Sequence, residues 1–268
     1  MTLRNFGTTG TGIKYVVEGN RMSGDVDTSC GNSLISLLCL QSLAMMYGLP
    51  WWDCIVDGDD CHFMAPEGFL TKQQVDSGMA ELGFKCDAEL LDDSTLENVE
   101  FNRSRLVRDE RGWRFVRNAE RGLASLGVTH KHLSTHTEYL RWLLGAARAE
   151  AVVSAGVPCV GPLCIALERA LTGIRPLYGS DVAYKMGMRI EVARLGSVEE
   201  VAVSDECRSS YAMAFNVSPS EQLEFERRAP AYASLLIDEA NWVRTTEAIA
   251  SNELLWWTHS EARVVGNW

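Results

Sequence analysis

The 268 residues suffice for one large domain or two small ones, and a hydrophobic content of 46% supports a substantial core and excludes disorder as the default state. A formal net charge of −11 and a pI near 5.0 exclude a protein that coats nucleic acid generically, because that affinity rests on Lys and Arg neutralising phosphates. The eight cysteines form no Cys-x-x-Cys pair and several sit in apolar runs, so buried free thiols in a reducing cytosol are expected.

In chain order, Met1 to Gly12 reads as loop and Ile13 to Val17 as a short strand. The stretch Gly19-Asn20-Arg21-Met22-Ser23-Gly24-Asp25-Val26-Asp27 reads as a flexible loop feeding a helix. Asp27 is placed to cap that helix, Gly48 suits its C′ position and Pro50 prevents continuation. Thr28 and Asn32, at i and i+4, fall on one helical face. The longest strongly apolar stretch, Leu34 to Met46, carries Ser36, Gln41 and Ser42 and is too short to span a bilayer, so no transmembrane helix is expected.

Next, Ile55-Val56-Asp57-Gly58-Asp59-Asp60-Cys61-His62-Phe63 reads as a β-hairpin, Gly58 taking the positive φ of its turn. Asp59 and Asp60 then stand together at the bend, hard oxygen donors suited to Mg²⁺ or Mn²⁺, although Asp-Gly-Asp-Asp is also ordinary turn chemistry. Pro66-Glu67-Gly68 makes a turn, Thr71 to Leu82 a helix capped by Thr71 and stopped at Gly83, and Phe84 to Leu90 a strand.

A second hairpin follows, Val99 to Val107 and Trp113 to Asn118, turning at Asp109-Glu110-Arg111-Gly112. It carries Arg103, Arg105, Arg108, Arg111, Arg114 and Arg117, guanidinium groups fitted to phosphate by geometry as well as charge. From about Ala119 the pattern is mainly helical, clearest over Thr135 to Ser154, Gly161 to Leu171 and Pro219 to Arg228, the last with Ser218 as N-cap and Pro219 at N1. His132 and His136 have the i, i+4 spacing of a metal pair but no third ligand, so surface histidines are expected. Trp256, Trp257 and Trp268 are expected to serve packing.

Taken together, Ser23-Gly24, then Thr28, then Asn32, then the Gly58-Asp59-Asp60 hairpin resemble the palm of a viral RNA-dependent RNA polymerase. The spelling Gly19-x-Arg21-Met22-Ser23-Gly24-Asp25, with the preceding Gly12 to Glu18, narrows the resemblance to tombusvirus-like positive-strand enzymes. Glu100-Phe101-x-x-Ser104 with Trp113-x-x-Val116-Arg117-Asn118 is similar to the fifth palm motif, and Arg208-Ser209-Ser210-Tyr211 through Glu226 to the thumb. The resemblance runs from near residue 3 to about residue 230.

It implies an α+β chain: a partial right-hand palm over 1–118, an antiparallel sheet with helices, and then a mainly α-helical thumb over 119–268. It also implies roles. Ser23 and Gly24 would adjust around template and nucleotide, Thr28 and Asn32 sense the ribose 2′-hydroxyl, and Asp59 and Asp60 bind catalytic Mg²⁺ or Mn²⁺. Lys85, in the fourth motif, would help protonate the pyrophosphate, and Arg103, Arg105, Arg114 and Arg117 would meet RNA. The expected activity is template-dependent nucleotidyl transfer by a two-metal mechanism, with RNA template and product and ribonucleoside triphosphates as partners, in a viral replication complex of the host cytoplasm. In that family the fingers and a further metal-binding aspartate precede the Ser-Gly loop. The expectation is therefore a C-terminal portion, incomplete and inactive without an upstream segment or a separate chain. A non-catalytic RNA-binding or scaffold subunit is the alternative, and a reverse transcriptase or metal nuclease fits the order of motifs less well.

Overall fold

A computed structural model describes residues 4–9, 11–19, 21, 27–91, 95–119, 122, 126–129, 133–177, 198 and 200–242. The chain divides into two compact units, Met1–Asn102 and Arg103–Trp268. Small antiparallel sheets and six α-helices, with one 3-10 turn, make an α+β architecture among the described residues.

The first unit opens with an antiparallel pair, β1 (Arg4–Thr8) and β2 (Lys14–Glu18). β1 lies in the stretch expected to be loop. Its Gly and Thr content hides a strand that pairs with β2, in which Gly7 faces Tyr15 and a Cβ on Gly7 would meet the tyrosine ring at 2.1 Å. Glycine is needed there for the ring to lie over the backbone.

Helix α1 (Thr28–Met46) follows, burying Cys39, Leu40, Leu43 and Ala44. Asp27 sits at its N-cap but its side chain makes no capping hydrogen bond, contrary to expectation. Its carboxylate instead lies 3.3 Å from the Arg21 guanidinium. The C-terminus behaves as read: Gly48 takes φ +61°, and the N–H of Leu49 reaches back to the Ala44 carbonyl at 3.0 Å. At 19 residues α1 begins well before the Leu34 to Met46 stretch and is long and apolar enough to cross a membrane by length and composition alone, a test that the core helix of a soluble protein also passes, so no clear membrane span is shown. Within the unit it packs on α2 (Lys72–Glu81), where a Cβ on Gly78 would meet Leu43 Cδ1 at 2.5 Å and Tyr47 donates its hydroxyl to Gln74 O at 2.9 Å.

Strands β3 (Asp53–Asp57) and β4 (Asp60–Met64) form the first expected hairpin. Thr71 and Gln74 make a reciprocal capping box at the start of α2. The strand expected over Phe84 to Leu90 is absent. A strand needs a partner for its ladder, and here side chains of α2 take up the backbone instead: Ala88 N–H donates to Asp76 Oδ1 at 3.3 Å, and the Lys72 ammonium donates to Ala88 O. A short strand, β5 (Glu100–Phe101), ends the unit.

In the second unit β6 (Ser104–Asp109) and β7 (Gly112–Arg117) form the arginine-bearing hairpin, turning where the sequence places the turn. Helices α3 (His136–Val153), α4 (Val160–Ala170), α5 (Asp205–Phe215) and α6 (Pro219–Ile237) follow. α3 packs on α4 and α4 on α6, around Leu143, Leu144, Leu167 and Ala233. α5 lies on β6, where Val107, Val116, Cys207 and Tyr211 close a second cluster. Burial of each large apolar side chain in these clusters stabilises the unit by about 1.5–3 kcal/mol. α6 runs past its expected end at Arg228 despite Pro230 within it, and Ser218 and Glu221 form its capping box. All eight cysteines are free, four of them buried, whereas Cys30 and Cys61 are exposed against expectation. His130, His132, Trp256, Trp257 and Trp268 lie outside the described residues.

Candidate active site at the Gly58 turn

Asp57 pairs with Asp60, so only Gly58 and Asp59 form the hairpin loop. Gly58 has φ +69° while Asp59 is not in the positive region, the pattern of a type II′ turn that matches the twist of its strands. A Cβ at Gly58 meets open space, so backbone conformation, not crowding, requires glycine. The consequence is three carboxylates, Asp57, Asp59 and Asp60, all exposed at one end of a rigid pair of strands.

Side chains from elsewhere in the unit hold that turn. The N–H of Gly58 donates to Ser33 Oγ at 2.8 Å, and Ser36 Oγ donates to the Gly58 carbonyl at 2.6 Å. Both peptide groups of the tightest residue are thus satisfied by α1. On the other side Asn102 Nδ2 donates to Asp57 Oδ2 at 2.7 Å, from a backbone with φ +50°. His62 Nε2 lies 2.7 Å from the Glu100 carbonyl, tying β4 to the segment that carries Asn102.

The same helix presents the candidate sugar-sensing residues. Thr28, Asn32 and Ser36 follow at intervals of four, one stripe on one face. Asn32 therefore lies one turn, about 6 Å of rise, from the serine that holds the Gly58 carbonyl. Arg21 donates to Asn32 Oδ1 at 2.6 Å, which orients the amide with its N–H groups away from the guanidinium. A Cβ on Gly31 would meet that guanidinium at 2.6 Å, so the glycine leaves room for Arg21 to cross the first turn to both Asn32 and Asp27.

The remaining candidates are placed differently. Ser23 and Gly24 lie outside the described residues. Lys85 is exposed in an irregular segment, and no described hydrogen bond or ion pair brings it to the turn. The lysine engaged nearby is Lys72, within 3.4 Å of Asp76 and 3.0 Å of Asp87.

Most of the hairpin arginines are occupied within the second unit. Arg105 donates to Ala214 O at 2.7 Å, Arg114 to Ala155 O at 2.7 Å, and Arg108 pairs with Glu206 at 3.0 Å. Arg117 lies 3.5 Å from the buried carboxylate of Glu150. Arg111 and Arg114 both reach Asp109 at 3.0 Å. Burial alone would push the Asp109 carboxyl up, but the Arg111 hydrogen bonds and the Arg114 and Arg111 charges outweigh it and hold the carboxyl below its ordinary range. Arg103 alone of this group sits at a left-handed position, φ +58°, and is exposed.

Carboxylate oxygens at Asp59 and Asp60 suit a hard divalent cation in donor type, since Mg²⁺ is held by one or two carboxylates with waters and substrate phosphates filling its other positions. Among the described residues no group of three or more His, Cys, Asp or Glu is arranged as a cation site. A cavity of about 430 Å³ lies in the second unit, lined by Gly156, Ile165, Arg208, Glu226 and Pro230 among others. It contains no part of the acidic turn.

Sequence reasoning missed Ser33, Ser36 and Asn102 as supports. Ser33 and Ser36 are legible afterwards, as polar residues three apart where the apolar part of α1 begins.

Residues 3–235 match the family model described as viral RNA dependent RNA polymerase. The chain is 30% identical over 222 residues to the RNA-directed RNA polymerase of Turnip crinkle virus, covering 80% of this chain and 28% of the relative. To that of Groundnut rosette virus (strain MC1) it is 31% identical over 223 residues, covering 80% and 25%. To that of Oat chlorotic stunt virus (isolate United Kingdom) it is 28% identical over 255 residues, covering 88% and 33%. The chain thus spans between a quarter and a third of the length of these relatives. With the family model matched over most of its length, the chain belongs to the viral RNA-dependent RNA polymerase family.

Proposed function

We propose that this chain carries part of the catalytic centre of a template-directed RNA polymerase, with residues 1–118 as partial palm and 119–268 as thumb. The observation that carries the reading is the acidic Gly58 turn, fixed by the same helix that bears Thr28 and Asn32. In it, Asp59 and Asp60 would hold Mg²⁺ or Mn²⁺, which when bound would supply Lewis-acid stabilisation of phosphoryl oxygens by a two-metal mechanism. Thr28 and the N–H groups of Asn32 meet the ribose hydroxyl, and the Ser23-Gly24 loop adjusts around the nucleotide. The 3′-hydroxyl of the growing strand attacks the nucleotide α-phosphate and pyrophosphate leaves, a departure that Lys85 would assist as proton donor.

Further protein completes the centre in this reading, as an upstream segment or a separate chain bringing another carboxylate and the fingers. One observation supports that. The uncharged helix α1 leaves Leu34, Leu37, Leu38 and Met45 exposed, and β1 and β2 expose Phe6 and Val16, apolar surface of the kind that further protein covers.

Titrating the isolated chain with Mn²⁺ tests the metal assignment. Paramagnetic broadening is expected first at Gly58, Asp59 and Asp60, with weak affinity because the ligand set is incomplete. Broadening confined to the histidines around His136 would refute it.

For RNA contact the occupied arginines change the expectation. Arg103→Ala should lower affinity similarly for all RNA sequences, reduce the salt dependence by about one counterion, and leave stability within about 0.5 kcal/mol. Arg114→Ala should cost about 1.5–3 kcal/mol of stability, since Asp109 is buried and Ala155 O loses a charged donor. Filter binding in a salt series, paired with urea unfolding, separates the two. Unchanged affinity for Arg103→Ala would leave that arginine a solvated surface group.

A further inference from the structure

Resting on the reading of the Gly58 turn as a metal-binding centre, we infer that Ser33 and Ser36 are positioning residues that lock the Asp59–Asp60 carboxylates in register with Asn32. Neither serine is matched by the motifs that identify the chain. Ser33 Oγ accepts the Gly58 N–H at 2.8 Å and Ser36 Oγ donates to the Gly58 carbonyl at 2.6 Å, so one residue of the turn is gripped at both ends by one helix.

A hairpin with a two-residue loop has its own register, but its tip is free to rock about its strands, and carboxylates on it swing with it. Two bonds to a single residue, from side chains three apart on a rigid helix, remove that freedom. The third bond, from Asn102 to Asp57, steadies the strand below. Because Ser36 belongs to the Thr28, Asn32, Ser36 stripe and Ser33 follows Asn32 directly, the distance from Asn32 to the carboxylates is set by helix geometry. A displacement of α1 on nucleotide binding would carry the acidic turn with it.

The donor and acceptor roles leave no ambiguity. The Gly58 N–H can only donate and its carbonyl only accept, and a serine hydroxyl serves either part. Alanine at either position removes the contact without enlarging the side chain. Ser42 supplies the control: it lies on the same helix, but its hydroxyl donates to Leu38 O at 2.8 Å, inside α1.

The test uses the full chain in two measurements, amide exchange at Gly58 and Mn²⁺ affinity from paramagnetic broadening, with circular dichroism to confirm helix content. Ser33→Ala should speed exchange of the Gly58 amide by about threefold to tenfold, the range expected for one net hydrogen bond. Ser33→Ala and Ser36→Ala should each weaken Mn²⁺ at the turn by a similar factor, and the double variant by more. Ser33→Thr, which keeps the hydroxyl, should restore both values, and Ser42→Ala should change neither. Wild-type Gly58 exchange and Mn²⁺ affinity in the double variant would overturn the inference, as would equal effects from Ser42→Ala. If Mn²⁺ fails to bind the turn in the unaltered chain, the metal reading falls, and with it the inferred role, whereas Gly58 exchange still reports whether the grip exists.

Discussion

Asp59→Ala and Asp60→Ala are each expected to abolish RNA synthesis once the polymerase is complete, by at least about 10²–10³-fold, the order lost when one preorganised group is taken from a reacting centre. Both carboxylates are exposed at the end of β3 and β4, and the described residues tie neither into the fold, so folding should survive the change. The predicted signature is therefore a loss of turnover with unaltered circular dichroism and unaltered RNA affinity. Gly58→Ala should act less directly. It strains a backbone at φ +69° and disturbs both serine contacts, so some stability goes as well. A scaffold protein that kept this fold without turnover would bind RNA equally well with and without the two aspartates, and its assembled complex would show no dependence on them.

The largest effect on stability is expected in the second unit, at Glu226→Ala. Arg208 reaches Glu226 through both terminal nitrogens, each at 2.8 Å, and Glu226 also accepts the Cys159 N–H at 3.3 Å. The side chains are only 13% and 15% exposed. Removing the carboxylate leaves a shielded guanidinium and a backbone donor without their partner, a loss of about 3–5 kcal/mol. Glu224 offers the contrast on the same helix. Hydrogen bonds from Arg227 pull its carboxyl down to about 2, yet the side chain is 44% exposed and solvent screens the pair, so Glu224→Ala should leave the urea midpoint nearly unmoved. Equal midpoints for the two variants would show that the Arg208–Glu226 pair does not anchor the unit.

That pair also explains part of what the sequence conveys. Arg208 and Glu226 bracket the stretch that resembles a polymerase thumb, and Gln222 Nε2, fully buried, donates to the carbonyls of Arg208 and Val217 inside it. The pattern reads as a signature because these residues close α5 onto α6, a contact that periodicity alone does not reveal. Elements governed by local chemistry were legible: the Gly58 turn, the Thr71 and Ser218 caps and the stop at Gly48 each depend on residues within a few positions. Elements governed by distant partners were not. Asp27 has the chemistry of a cap but is drawn to Arg21, Phe84 to Leu90 alternates like a strand but meets α2 side chains, and Arg4 to Thr8 forms a strand only because β2 is beside it. The same distinction separates the arginines. Composition marks the hairpin as basic, while only tertiary contacts reveal that Arg105, Arg114 and Arg117 are already bonded to protein groups.

The proposed metal centre, of which Asp59 and Asp60 form one part and further protein the rest, is probed by supplying the purified chain with RNA template, ribonucleotides and Mn²⁺, alone and then together with a polypeptide bearing the fingers and a further aspartate from a related polymerase. No templated product is expected from the chain alone, and addition of the second polypeptide should bring synthesis that Asp59→Ala eliminates. Robust templated synthesis by the chain alone, or restored synthesis indifferent to Asp59→Ala and Asp60→Ala, would contradict it.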